Sequence, residues 1–89
     1  MIAFFFVSYF VYFLKSEKDG TTYVGMAKDV QVRLEEHNRG KSKFTRAHMP
    51  YKLMYQEGPY GTAEARKREK YLKSTAGKNF LRKLGIIFN

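Results

Sequence analysis

Two short runs rich in β-branched and aromatic residues, Tyr9 to Lys15 and Thr22 to Met26, flank the tetrapeptide Glu17-Lys18-Asp19-Gly20. Such runs suit a pleated, half-buried surface, and the polar tetrapeptide supplies turn chemistry, so the pattern predicts a β-hairpin. The two-residue period puts Tyr12 on one face with Phe10 and Leu14, and Tyr23 on one face with Gly25.

Helical signals follow. Asp29 is a good N-cap, Val30 and Leu34 form an i, i+4 apolar pair, and Gly40 stands as a stop, which predicts a helix over residues 30–39. Arg33 and His37 are also four apart and share a face beside that apolar stripe. The loop Arg39 to Pro50 mixes five basic residues with Phe44, and Lys52 to Gln56 reads as a short third strand. Thr62 is the expected cap of a second helix with Ala65, Glu69 and Leu72 along one face, and Arg66, Lys67 and Lys70 elsewhere. Ser74 or Thr75 caps a last helix carrying Phe80, Leu81 and Leu84 and ended by Gly85. The order ββαβαα implies an α+β fold, a small three-stranded antiparallel sheet flanked by helices.

A chain of 89 residues without linker, repeat or low-complexity tract reads as a single domain over 1–89 with its core in residues 9–84. Only about 60% of the unfolded surface is buried at this size, so the core must be compact. Seven Tyr and eight Phe supply it. The absence of Cys excludes disulfides and a thiolate zinc site, and a cytoplasmic location is the simplest expectation. Met1 to Leu14 is apolar or aromatic except at Ser8. A fourteen-residue helix would reach about 21 Å against a hydrocarbon core of about 30 Å, so no stable membrane insertion is expected. The run also lacks the basic start and small-residue cleavage site of a secretory signal, and reads as a long central strand.

Charge is unevenly placed. Residues 1–38 hold four basic and five acidic side chains, whereas residues 39–89 hold thirteen basic and three acidic ones. The C-terminal part therefore projects a positive field, which suits a polyanion; the plainer alternative is a solvating surplus of lysine.

The tripeptides Val11-Tyr12-Phe13 and Tyr23-Val24-Gly25, followed by Arg33 and His37 on the first helix, resemble the GIY-YIG nuclease family at its two name-giving motifs. The resemblance continues through Asp29 to Asn38, the basic stretch Lys41 to Tyr55, and Glu69 in KREKYLK, where the family places its metal-binding glutamate. It is to the short stand-alone bacterial branch, related to the catalytic domains of homing endonucleases and of the incision subunit of nucleotide excision repair. Residues 1–8 depart from the pattern as an apolar extension, read as an extra sheet edge, a self-association contact or a misassigned start. Met26 stands where many members have Lys, and Asn79 is a substitute for a late Asn at uncertain spacing.

The resemblance implies hydrolysis of phosphodiester bonds by one divalent ion, Mg²⁺ or Mn²⁺. It implies catalytic roles for Tyr12, Tyr23, Arg33 and His37, metal binding by Glu69, and substrate contacts by Gly25, Lys41, Lys43 and Arg46. DNA, structured or branched, is the expected substrate; a non-catalytic nucleic-acid-binding module is the rival. The chemistry suits the residue types. A guanidinium forks to two phosphate oxygens, and a single carboxylate suits a hard ion that keeps much of its water. A free tyrosine has a pKa of about 10 and needs nearby cations to act as a base, whereas histidine needs no shift. Each residue also has a structural reading. The tyrosines fit as half-buried sheet rings, Glu69 as a salt-bridge partner of an arginine such as Arg33, and Gly25 as a β-bulge instead of open backbone for a phosphate. His48 has no assigned role.

Overall fold

The computed structural model describes residues 8–87. Strand β1 (Tyr9–Ser16) lies at the centre of an antiparallel sheet between β2 (Thr22–Ala27) and β3 (Tyr51–Tyr60). Helix α1 (Val30–Asn38) follows the hairpin, and α2 (Thr62–Lys73) and α3 (Thr75–Lys83) follow β3. The α+β fold in the order ββαβαα is thus the one the sequence predicts.

Alternation along β1 divides the molecule. Val11 and Phe13 pack with Val24, Ala65, Leu72 and Leu81, under α2 and α3. Tyr12 and Leu14 pack with Val30 and Tyr51, with Leu34 of α1 against them. A strand buried on both faces needs apolar residues at every position, which explains the apolar stretch Tyr9 to Leu14; the rest of the run read as a long central strand, residues 1–7, lies outside the described residues. Among the described residues, no helix is long and apolar enough to cross a membrane. The self-association reading for residues 1–8 falls, apart from the exposed Ser8, outside the described residues.

Local chemistry sets the helix ends. The Asp29 carboxylate accepts from the Val32 amide at 3.1 Å, as an N-cap should. Ser74 caps α3 by accepting from the Gly77 amide at 3.2 Å. The expected cap Thr62 is instead the first residue of α2: Gly61 holds the cap position, and its carbonyl accepts the first turn's bond from Ala65 at 2.9 Å. Leu84, expected on the last helix with Phe80 and Leu81, is its C-cap and 50% exposed.

Strand β3 runs ten residues, well past the predicted Lys52 to Gln56. It passes through Gly58 and Pro59 because β3 is an edge strand, where proline is tolerated. Gly58 sits at φ 131° against the Tyr9 carbonyl, at one of the two register shifts between β1 and β3.

One polar network ties α2 to this strand. Glu57 accepts from Arg68 Nε at 2.6 Å and Nη2 at 3.0 Å, from Tyr60 at 2.6 Å and from Tyr55 at 2.9 Å. Burial opposes ionisation of Glu57, but these hydrogen bonds outweigh it and hold the carboxyl below its usual range. The Arg68 guanidinium also lies 4.7 Å from the Tyr71 ring centroid and 5.4 Å from that of Phe80. The clamp fixes the rotation of α2, and with it the direction of the next residue, Glu69.

Candidate active site

Register brings the tyrosines together. Tyr12 pairs with Gly25 and Leu14 pairs with Tyr23, so Tyr12, Tyr23 and Gly25 lie on the face covered by α1. A Cβ at residue 25 would meet the Tyr12 hydroxyl at 2.5 Å, its Cζ at 2.7 Å and Tyr23 Cε1 at 2.9 Å. The space beside Gly25 is therefore filled by the Tyr12 phenol and is not open backbone for a phosphate. Nor is Gly25 a bulge, because the β1–β2 ladder runs without a register shift.

The face shared by Arg33 and His37 turns to this ring pair. The His37 ring centroid lies 4.9 Å from that of Tyr23, 6.1 Å from Tyr12 and 6.2 Å from Tyr51. His37 Nε2 is 3.1 Å from the Tyr12 hydroxyl, and Nδ1 is 2.7 Å from the Thr45 hydroxyl. Arg33 bonds Glu36 at 3.2 Å, and its charge acts on the same Tyr12 hydroxyl. His37 is 0% exposed and Tyr12 1%, whereas Arg33 and Tyr23 are partly open to solvent.

Burial sets the proton affinities. It pushes the Tyr12 hydroxyl up to about 12, helped by the field of Tyr23 and more weakly of Glu69, and opposed by Arg33. Burial, reinforced by the Arg33 charge, pushes His37 down and keeps it neutral. A free Tyr12 phenolate is therefore not populated near neutral pH, and His37 cannot touch bulk water. Any proton that leaves Tyr12 has His37 Nε2 as its nearby acceptor.

Glu69 does not pair with Arg33. Its carboxylate is part-buried and lies 3.8 Å from Lys73 Nζ one turn on, a loose contact. A groove of about 250 Å³ at the edge of β2 joins Tyr23 to Leu72, Lys73 and Lys78. A larger hollow of about 390 Å³ near Lys15, Asp19 and Ile86 contains none of the candidate residues. Lys41, Lys43 and Arg46 are exposed on the loop that carries Thr45, with Phe44 87% exposed among them. Asn79 is exposed on α3 and accepts from Arg82 at 2.7 Å; no contact joins it to the ring cluster among the described residues. His48, unassigned from sequence, bonds Asp19 through Nδ1 and ties the basic loop to the hairpin turn.

The family model described as the GIY-YIG catalytic domain matches residues 8–83. The chain belongs to the GIY-YIG family. UPF0213 proteins of Staphylococcus aureus, among them SA0446 of strain N315 and MW0443 of strain MW2, are each 45% identical over 76 residues, which is 84% of this chain and 92% of theirs. The solution NMR structure of the UPF0213 protein BH0048 from Bacillus halodurans is 32% identical, with a TM-score of 0.52 over 86% of this chain and 84% of that one. Membership supports a nuclease-type function and a nucleic-acid substrate.

GIY-YIG nucleases generally use a divalent metal ion. Among the described residues no three His, Cys, Asp or Glu side chains cluster as a protein cage. Glu69 fits a different mode: a partly exposed carboxylate whose 3.8 Å contact with Lys73 is too long to occupy its oxygens suits a hard ion that retains most of its water.

Sequence reasoning missed Thr45, Tyr51, Glu36 and the Glu57–Arg68 clamp. Glu36, Thr45, Tyr51 and Arg68 fall inside stretches that carry the resemblance, but nothing in their spacing signals the partner each one meets.

Proposed function

We propose that this protein is a metal-dependent endonuclease that hydrolyses phosphodiester bonds of DNA, structured or branched, in the cytoplasm. The observation that carries the reading is convergence on one atom. The Tyr12 hydroxyl meets His37 and Arg33, with Tyr23 and Glu69 close enough to raise its proton affinity.

Arg33, partly open to solvent, is the member of this set that reaches the phosphate. Bonded to Glu36, it turns to the scissile phosphate and forks to two of its oxygens. That movement uncovers the Tyr12 oxygen to a water molecule. Tyr23, at the rim of the β2 groove, helps orient the water. Glu69 would hold the divalent ion, which supplies charge neutralisation on the phosphate and on the departing oxygen. Lys41, Lys43 and Arg46 on one side, and Lys73 and Lys78 in the groove, contact flanking phosphates.

A non-catalytic nucleic-acid-binding module is the second reading, favoured by the near-complete burial of Tyr12 and His37. Incubating the pure protein with duplex, single-stranded, flapped and branched DNA, and with RNA, in Mg²⁺ or Mn²⁺ separates the two. The nuclease reading expects divalent-dependent cleavage that Glu69→Gln abolishes while binding and folding persist. Binding without cleavage on every substrate would establish the module instead.

A further inference from the structure

Thr45 occupies the N-cap position of the short 3-10 turn Arg46–His48, where a threonine ordinarily turns its hydroxyl to the backbone, yet it makes no capping bond. Its side chain is 1% exposed and its hydroxyl lies 2.7 Å from His37 Nδ1. The residue therefore gives up a local bond to hold a ring eight positions earlier.

The direction of that bond follows from what Tyr12 can do. A phenol has one proton to donate, and a guanidinium only donates, so the neighbouring Arg33 cannot receive it. His37 Nε2, at 3.1 Å, is then the acceptor for the Tyr12 O–H. A neutral imidazole with a lone pair on Nε2 carries its proton on Nδ1, and Nδ1–H donates to the Thr45 oxygen. We propose that Thr45 is a positioning residue that fixes this tautomer, leaving His37 Nε2 free to take the Tyr12 proton during phosphodiester hydrolysis.

The assignment rests on the nuclease reading for its catalytic meaning, but not for the position of the proton. In the reaction step the water oxygen bonds to phosphorus as one of its protons passes to the Tyr12 oxygen. The Tyr12 proton passes to Nε2, the bond from phosphorus to the departing oxygen breaks, and that oxygen takes a proton from solvent. The imidazolium so formed donates from both ring nitrogens, and Thr45 serves it as acceptor without turning. His37 then returns its proton through Tyr12 to water. The titratable and charged groups facing the ring are Tyr12, Tyr23 and Tyr51 from the three strands and Arg33 and Glu36 from its own helix.

The test is the ¹⁵N spectrum of the His37 ring together with cleavage by Thr45→Val and Thr45→Ser. The wild type and Thr45→Ser should show Nδ1 protonated and similar cleavage rates. Thr45→Val leaves Nδ1–H without an acceptor, so the proton should move to Nε2, with cleavage falling about 10²-fold and substrate affinity unchanged. Should the valine variant fail to fold, the wild type and the serine variant decide the matter. An Nε2–H tautomer in the wild type overturns the proposal, as does a folded valine variant that keeps the Nδ1–H tautomer or full activity. If the wild type cleaves no substrate, the nuclease reading fails, while the spectrum still decides where Thr45 places the proton.

Discussion

The hydroxyl of Tyr12 lies 3.1 Å from Nε2 of His37, and both side chains are shut off from solvent. Because the pair is closed, its geometry depends on what packs around it, beginning with the residue that has no side chain.

Gly25→Ala should damage stability and chemistry together. The added Cβ would stand 2.5 Å from the Tyr12 hydroxyl and 2.7 Å from its Cζ, so the ring must move. Overpacking of this kind costs about 1–3 kcal/mol. Thermal unfolding should report that loss, and cleavage should fall further than any change in substrate binding. An alanine variant of unchanged stability would show that Tyr12 has room to shift.

Arg33→Ala should separate stability from activity. Its pairing with Glu36 is an i, i+3 contact of 3.2 Å with both side chains a third or more exposed, worth less than about 1 kcal/mol. Loss of a preorganised charge on the phosphate costs about 10²–10³ in rate. Arg33→Lys should rescue poorly, because an ammonium cannot fork to two oxygens. Paired melting and single-turnover measurements distinguish this from a structural ion pair.

Glu57→Gln should do the reverse, lowering stability at a distance from the ring cluster. Glu57, whose side chain is 9% exposed, accepts from Arg68, Tyr55 and Tyr60. The amide removes the charge and leaves a donor facing donors, at a cost of about 2–3 kcal/mol. Denaturant titration checks the size. Whatever fraction remains folded should cleave more slowly only to the extent that α2 turns and carries Glu69 with it.

Stability should decline on mild acidification because of His37. Burial lowers its proton affinity in the folded protein, while the unfolded chain protonates at about 6.5. As pH falls through that value the unfolded state binds more protons than the folded one, so the folded state loses ground until the lower folded value is passed. Urea titrations between pH 8 and pH 5 should show the decline in the wild type and a flatter profile in His37→Gln.

The hairpin, the Asp29 and Ser74 caps and the order ββαβαα are legible in the chain because each depends on neighbours a few residues apart. The GIY-YIG pattern is legible for the same reason: Tyr12 and Tyr23 fall at defined strand positions, and Arg33 and His37 share a helix face by their spacing alone. The full length of β3 is not, since the breaker signal of Gly58 and Pro59 is overridden by pairing with β1 that only the assembled sheet provides. Thr45, in a polar loop, meets His37 only when α1 and that loop dock on the sheet. Glu57 and Arg68 lie eleven positions apart on different elements, and although Arg68 stands beside Glu69 in KREKYLK, no local spacing marks it as the partner of Glu57. Gly25 shows the division most clearly. Sequence places a glycine beside the tyrosines, but packing decides that its missing side chain makes room for the Tyr12 ring instead of for a phosphate. Local spacing determines which groups this chain can offer, and burial decides which of them meet, which stay neutral and which reach water, because those properties belong to surfaces that form only when distant segments close on each other.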